Sequence, residues 1–381
     1  MTEREALVAL NMVTGMGAIT AKRLLERMGS FAAALQATEA ELAGVPTLGA
    51  IKARQFAEAF RSVNPASEMA RAERLRVRLL TWLDPDYPQA LKTIADPPLV
   101  LYLRGETAAL NNVGVAIVGT RHATVYGRET ARRFGFQLAG AGYTVISGMA
   151  AGIDTEAHTG AVQAKGMTVG VLGGALDRFY PKENEPLARS IVQNGGAIIS
   201  EYPFGRSPDR QTFPMRNRIV SGLSKGVLVI ESPLSSGTMI TVNQALDQNR
   251  IVMAVPGRID SPASQGCHRL LREGARLVTN ADEVIDELED LVTSMRRAPA
   301  SPSPLSAPDS PSQPEAAARP QPILSEDERA VLELLSTEGL SVDEIVRASG
   351  IDTGKVSSIL VGLQIRRLAK ALPGGRVARV P

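Results

Sequence analysis

What most limits the fold of this chain is a rhythm between about residues 113 and 291, where short apolar runs alternate with helical stretches. The runs are 113–118, 143–147, 167–172, 197–200, 227–230 and 251–255. Valine, isoleucine and glycine dominate them, and each is too short for a helix. Strands alternating with helices make βαβ units and a mostly parallel sheet covered on both faces. The expected fold is α/β, an extended Rossmann-like doubly wound parallel sheet. Ligands of such sheets bind in the crevice at the carboxyl ends of the strands, so the loops leaving those ends matter most.

The sheet is expected to occupy a domain of residues 80–295, flanked by smaller parts. Residues 1–79 are rich in Ala, Leu, Glu and Arg at helical spacing. Two glycine turns interrupt them, Val13-Thr14-Gly15-Met16-Gly17-Ala18 and Ala43-Gly44-Val45-Pro46-Thr47-Leu48-Gly49. This outlines an all-α helix-hairpin-helix or SAM-like domain, whose turns can present N–H groups to a phosphate. A plain helical bundle with glycine caps gives the same pattern. Prolines in Asp84-Pro85-Asp86-Tyr87-Pro88 and Asp96-Pro97-Pro98 predict an extended, turn-rich connection over 80–112. Residues 296–322 read as a Pro/Ser/Ala linker too poor in apolar surface to hold one conformation.

Residues 323–381 carry helix starts at Ser325, Ser341 and Asp352, then a hairpin turning at Gly374-Gly375. Three helices and a hairpin outline a winged helix. In a duplex reader the helix from Asp352 would enter the groove, with Lys355, Arg366, Arg367 and Lys370 facing outward. Winged helices also dock proteins, and the residues leave both uses open.

Several function classes drop out. With Cys267 as the single cysteine, no intrachain disulfide forms, so a disulfide-stapled secreted fold is excluded. No basic start followed by an apolar run opens the sequence, and no stretch approaches ~18 apolar residues, so neither signal peptide nor membrane span is expected. The cytoplasm is the expected location. His122, His158 and His268 lack the spacing of a zinc site, and no nucleophile elbow appears. No metal, cofactor or enzymatic step is expected. The net charge of +2 neither requires nor excludes nucleic acid.

The loops are more informative. The first, Gly119-Thr120-Arg121, lacks the dinucleotide pattern G-x-G-x-x-G but offers a glycine N–H, a hydroxyl and a guanidinium to an anion. The second, from Ser147-Gly148 to Gly152-Ile153-Asp154, lets backbone approach a ligand. Asp154 in it reads as a helix cap, with His158 packed beside it. The third, residues 173–184, holds Arg178, Phe179, Tyr180 and Lys182. The fourth, residues 201–214, holds Arg210 and Phe213 and leads into Arg216-Asn217-Arg218. Only 4% of the chain is aromatic, yet these two loops gather five aromatic residues among cations. Bases stacking on aromatics beside cations that track phosphates are what single-strand binding requires. The fifth loop places Ser236-Gly237-Thr238 at a helix start, a phosphate seat without the P-loop lysine.

At these loops the chain resembles the DNA-processing protein A family, also called DprA or Smf. The resemblance spans roughly residues 83–287 and rests on motifs in one order. They are Asp84-Pro85-Asp86-Tyr87-Pro88, Val118-Gly119-Thr120-Arg121, Ser147 to Asp154, and Tyr180-Pro181-Lys182-Glu183-Asn184. Ser200-Glu201-Tyr202-Pro203, Arg216-Asn217-Arg218, Ser236-Gly237-Thr238 and Ala254-Val255-Pro256-Gly257 complete them. The resemblance implies a homodimer that binds incoming single-stranded DNA during natural transformation. It also implies loading of RecA onto strands coated by single-strand-binding protein. The strand-binding residues it implies are Arg121, Lys182, Arg210, Phe213 and Ser236-Gly237-Thr238, supported by Arg216 and Arg218, with Asn217 and one arginine open to a structural role. The chain departs from the family pattern at Gly266-Cys267-His268, near the implied dimer surface, and at Gly173-Gly174-Ala175 in the third loop. Two other readings stand beside this one. One is a duplex-binding regulator acting through the winged helix, the end domains then touching duplex DNA. The other is a Rossmann-like nucleotide hydrolase.

Overall fold

The structure, a computed structural model, describes residues 1–46, 48–297, 324–336, 339–366, 368–372 and 375–380. They fall into two compact units, Met1–Ala281 and Asp282–Pro381. In the first, the apolar runs become buried strands within a residue or so of their expected ends. These are β3 (Gly114–Val118), β4 (Thr144–Ser147), β5 (Thr168–Val171), β6 (Ala197–Ser200), β7 (Gly226–Val229) and β8 (Ile251–Ala254). The prolines of 80–112 hid two further strands. Instead of a mere connection, this stretch holds the second half of β1 (Arg78–Thr81) and all of β2 (Val100–Gly105). Pro98 ends the turn between them, its carbonyl accepting from Trp82 Nε1 at 2.6 Å and Tyr87 Oη at 2.7 Å. With β9 (Arg276–Leu277) these make a nine-stranded sheet among the described residues, in the order β1-β2-β6-β5-β4-β3-β7-β8-β9. β3 to β9 run parallel, and β1 and β2 add antiparallel at one edge.

That edge is closed by the chain's own side chains. Arg4 Nη2 donates to Leu79 O at 2.7 Å, and Thr81 N donates to Asp84 Oδ2 at 2.6 Å. The opposite edge, β9, is two residues long and exposed.

The N-terminal helices are α1 (Glu3–Asn11), α2 (Ala18–Met28), α3 (Phe31–Gln36), α4 (Glu39–Ala43), α5 (Gly49–Ser62) and α6 (Pro65–Arg74). Leu7, Leu24, Phe31 and Phe56 share one apolar core with Val100, Tyr102, Leu172 and Ile198 of the sheet side. The expected boundary at residue 79 thus falls inside β1, with no gap in packing there. The first glycine turn does not offer its helix start to a phosphate. Ala18 N, at the head of α2, already donates to Asp96 Oδ1 at 3.2 Å. A carboxylate from the same chain fills the electropositive helix end. In the second turn Thr47 lies outside the described residues.

The second unit begins along helix Ala281–Arg297, and the expected linker lies, from residue 298, outside the described residues. Beyond it, helices Glu326–Leu334, Val342–Ser349 and Thr353–Ile365 pack with a three-stranded antiparallel sheet of Leu340–Ser341, Ala369–Leu372 and Arg376–Arg379. This is a winged helix, its core made by Val331, Ile345, Val356, Leu363 and Val377. Ser325 and Ser341 form capping boxes with Glu328 and Glu344, and Asp352 caps the third helix at Gly354 N. Two cations expected to face outward are engaged inside the unit. Lys355 Nζ lies 2.5 Å from Asp327, and Arg366 Nη1 lies 3.1 Å from Glu328. Arg367 lies outside the described residues, and Lys370 is exposed.

Candidate nucleic-acid interface

The strand order runs one way from β3 through β4, β5 and β6 and the other way through β7 and β8, so the sheet's switch point lies between β3 and β7. A cleft of about 470 Å³ opens there. Gly119, Thr120, Arg121, Gly148, Arg210, Phe213, Arg216, Asn217, Ser236, Gly237 and Thr238 all line it. Residues from four separate loops thus converge where a doubly wound sheet binds its ligand.

Tight backbone contacts bring the loops together. Thr120 N donates to Glu231 O at 2.8 Å, and Ile153 N to Thr120 O at 3.3 Å. Gly152 has φ +83°, and a Cβ there would fall 2.5 Å from Thr120 O, so only glycine allows this approach. Glu231, 1% exposed, accepts from Thr124 N at 2.9 Å and Thr124 Oγ1 at 2.6 Å. It fixes the start of the helix Val125–Gly140 that follows the first loop. The sequence reading missed Glu231; its one signal was a carboxylate directly after the apolar run Val227-Leu228-Val229-Ile230.

Arg121 and Arg210 are exposed at the cleft, and among the described residues neither has a carboxylate partner. The Arg121 guanidinium sits 5.1 Å from the centroid of the Phe213 ring, and Tyr180 lies 6.0 Å on from that ring. The third polar wall is the start of the helix Gly237–Asp247. Its N-cap Ser236 makes no capping bond, its Oγ lying 2.7 Å from Ser232 Oγ instead. The first N–H groups of that helix therefore face the cleft without a side-chain acceptor, as an anion requires. Asp209 shapes the Arg210 loop by accepting from Gln211 N and Thr212 N, which hold its carboxyl below the usual carboxylate range.

The floor is structural. Arg216 is 4% exposed, and its Nη1 donates to Gly148 O at 2.5 Å and to Val171 O. Burial pushes its pKa down to about 10, with Asp154 opposing the shift. Its Nε donates to Asn217 Oδ1 at 3.2 Å. Burial raises the Asp154 carboxyl, with the Arg216 charge opposing. Asp154 does not cap its helix; the N-cap is Gly152, and Asp154 Oδ2 accepts from Gly148 N at 3.1 Å and Ala150 N at 3.3 Å, closing the loop on itself.

Three expected site residues stand outside the cleft lining. Ser147 is fully buried and donates to Ile117 O at 2.6 Å within the sheet. Lys182 is exposed at the head of a short 3-10 turn beyond Tyr180. Arg218 is bound to Glu201 at 2.6 Å and to Asp96 at 3.2 Å. Burial opposes its charge, but Glu201 holds its pKa above the usual value. Of the arginine pair, both are thus packed into the protein, Arg216 beneath the cleft and Arg218 away from it.

His158 is fully buried and pairs with Thr168, not Asp154. Its Nδ1 lies 2.7 Å from Thr168 Oγ1, whose hydroxyl donates to Val145 O, so Nδ1 carries the hydrogen. Burial, then the Arg216 charge, pushes its pKa down to about 3. In the unfolded chain histidine titrates near about 6.5. Because the folded value is the lower, protons favour the unfolded chain between the two. The stability from neutral His158 is whole above about pH 6.5 and is lost as pH falls toward the folded value, by up to about 1.4 kcal/mol per pH unit. Urea unfolding at pH 7 and pH 5 should show a smaller drop in His158→Gln than in the parent. Equal drops would overturn the assignment.

The model of the family described as DNA recombination-mediator protein A matches residues 78–289, and that of the DprA winged helix domain matches residues 315–375. Protein Smf of Synechocystis is 32% identical over 395 residues, covering 99% of each chain. The solved structure of DNA processing protein A from Streptococcus pneumoniae superposes with a TM-score of 0.66 at 32% identity, over 75% of this chain and 98% of that one. DNA processing protein A from Helicobacter pylori, solved to explain its single-stranded DNA binding mode, gives a TM-score of 0.51 at 32% identity, over 56% of this chain and 96% of that one. Matched along its sheet domain, its winged helix and nearly its whole length, this chain belongs to the DprA/Smf family of DNA recombination mediators.

Proposed function

We propose that this chain binds single-stranded DNA in the switch-point cleft and works as a recombination mediator without a chemical step of its own. The observation that carries the reading is the convergence of unpartnered Arg121 and Arg210, the Phe213 ring and an uncapped helix start in one cleft. Cations and N–H groups serve phosphates, and a ring serves bases, which are free to stack on it only when unpaired. The Helicobacter pylori protein's single-stranded DNA binding mode supports the same use here. Asp154 is committed to backbone N–H groups and His158 Nδ1 to Thr168, which argues against an acid–base pair.

The family resemblance extends the reading to transformation in the cytoplasm, with RecA loading, single-strand-binding protein and a homodimer. Duplex reading by the winged helix finds less support, since Lys355 and Arg366 are held by acidic partners.

The test is titration of labelled oligo-dT and a matched duplex at two salt concentrations. Binding should favour oligo-dT. Log affinity should fall with log salt at a slope of roughly −2, about 0.7 for each of Arg121, Lys182 and Arg210. Failure to bind oligo-dT, or equal binding of the duplex, overturns the reading.

A further inference from the structure

The third and fourth loops carry most of the exposed cations and rings of the interface, and they run free of helix and strand until Lys182 opens a short 3-10 turn and Phe213 enters the helix Thr212–Gly222. Beside their own bonds to the sheet side, such as Ser200 Oγ to Gly174 O and Arg218 to Glu201, both loops are anchored by α6, in the N-terminal helices. Glu68, 6% exposed, accepts from Phe204 N in the fourth loop at 2.8 Å and from Tyr102 Oη of β2 at 2.9 Å, through the same oxygen. One helical turn on, Arg71 Nη2 pairs with Asp177 Oδ2 of the third loop at 2.6 Å, and its guanidinium lies 5.3 Å from the Phe204 ring. The other Asp177 oxygen accepts from Gly205 N at 2.9 Å, and Ala175 N donates to Arg206 O at 2.9 Å. The two loops are therefore bonded to each other, and one helix face holds both. From this clamp the third loop runs on to Tyr180 and Lys182, and the fourth to Arg210 and Phe213. The Phe213 ring closes the arrangement against Gly173, where a Cβ would meet it at 2.7 Å.

We propose that Glu68 and Arg71 are positioning residues for DNA binding: they touch no nucleotide, but hold both loops in the geometry that presents Tyr180, Lys182, Arg210 and Phe213 to the strand. The inference rests on the single-strand reading of the cleft. The N-terminal helices then serve the interface as its frame, with no need to contact DNA themselves. Loops held ready give up less freedom when the strand binds, so loosening them lowers affinity without removing a contact.

The test uses the full chain and its Arg71→Ala, Arg71→Lys and Asp177→Asn variants. In oligo-dT titrations Arg71→Ala and Asp177→Asn should each weaken binding by about tenfold. The salt slope should stay at the parent value, whereas loss of a direct phosphate contact lowers it by about 0.7. Arg71→Lys, which keeps the charge, should recover most of the affinity. Hydrogen exchange without DNA should quicken in 173–184 and 201–214 in Arg71→Ala, with the strands of the sheet unchanged. Unaltered exchange in both loops overturns the tether, as does parental affinity in a folded Asp177→Asn. A drop in salt slope by one contact also overturns it, by placing Arg71 on the phosphate. A parent chain that ignores oligo-dT while its loops still loosen in Arg71→Ala overturns the DNA reading and leaves the tether standing. Should Arg71→Ala fail to fold, Asp177→Asn, which keeps an acceptor for Gly205, decides by the same measurements.

Discussion

Arg121→Glu should reduce oligo-dT affinity by about 100-fold at moderate salt. A charge-assisted hydrogen bond is worth about 1.5–3 kcal/mol, and reversing the charge adds repulsion to the loss. The effect should be large because no carboxylate in the described residues competes for this guanidinium, and because it lies against the Phe213 ring where a base would stack. The salt slope should fall by at least about 0.7. Thermal stability should hardly change, since the side chain is exposed and, among the described residues, has no carboxylate partner. Undiminished binding by a folded Arg121→Glu protein would move the site out of the cleft.

Arg218→Ala should do the reverse, unfolding the first unit at lower denaturant. Its guanidinium joins three segments. It donates to Glu201 at 2.6 and 2.8 Å, to Asp96 O at 2.9 Å, and to Met215 O at 2.9 Å. Glu201 and Arg218 side chains are each 12% exposed, so removing the cation leaves a largely buried carboxylate without its partner. Breaking such a pair costs about 3–5 kcal/mol. Asp96 also accepts from the head of α2, so the same loss should loosen the N-terminal helices. Urea unfolding of the variant against the parent measures this, and a shift below about 1 kcal/mol would refute the structural assignment. At protein concentrations and temperatures where it stays folded, the variant should keep parental salt dependence in DNA binding.

These opposite expectations for Arg121 and Arg218 show what sequence can convey. Arg121 was legible because its place follows from topology: the residues just after a strand and its glycine must reach the crevice. Arg218 sits two residues from Arg216 in a basic run that reads as one patch. Only the three-dimensional path separates them, one beneath the cleft and one facing Asp96 and Glu201. The same holds for β2, whose apolar run was hidden by the prolines before it although Val100 to Leu103 are almost wholly buried. Apolar period speaks for strands in the middle of a sheet. It speaks weakly for a short antiparallel strand added at the edge, where turn residues crowd both ends. Long-range carboxylates were the least legible. Glu68, Asp96 and Glu231 look like ordinary surface acids in one dimension, and their partners lie far along the chain.

On the proposed function, the closed edge at β1 bears on how copies of this protein would share one DNA strand. A wide sheet is a template on which foreign strands can add, and many copies gathered on a polymer raise that risk. Here the carbonyl of Leu79 and the amide of Thr81 are taken by Arg4 and Asp84, and the far edge offers only two residues. Growth strand by strand is blocked at β1 and has only a two-residue strand to build on at β9. On that reading, copies brought together on DNA would meet through side chains rather than by joining sheets.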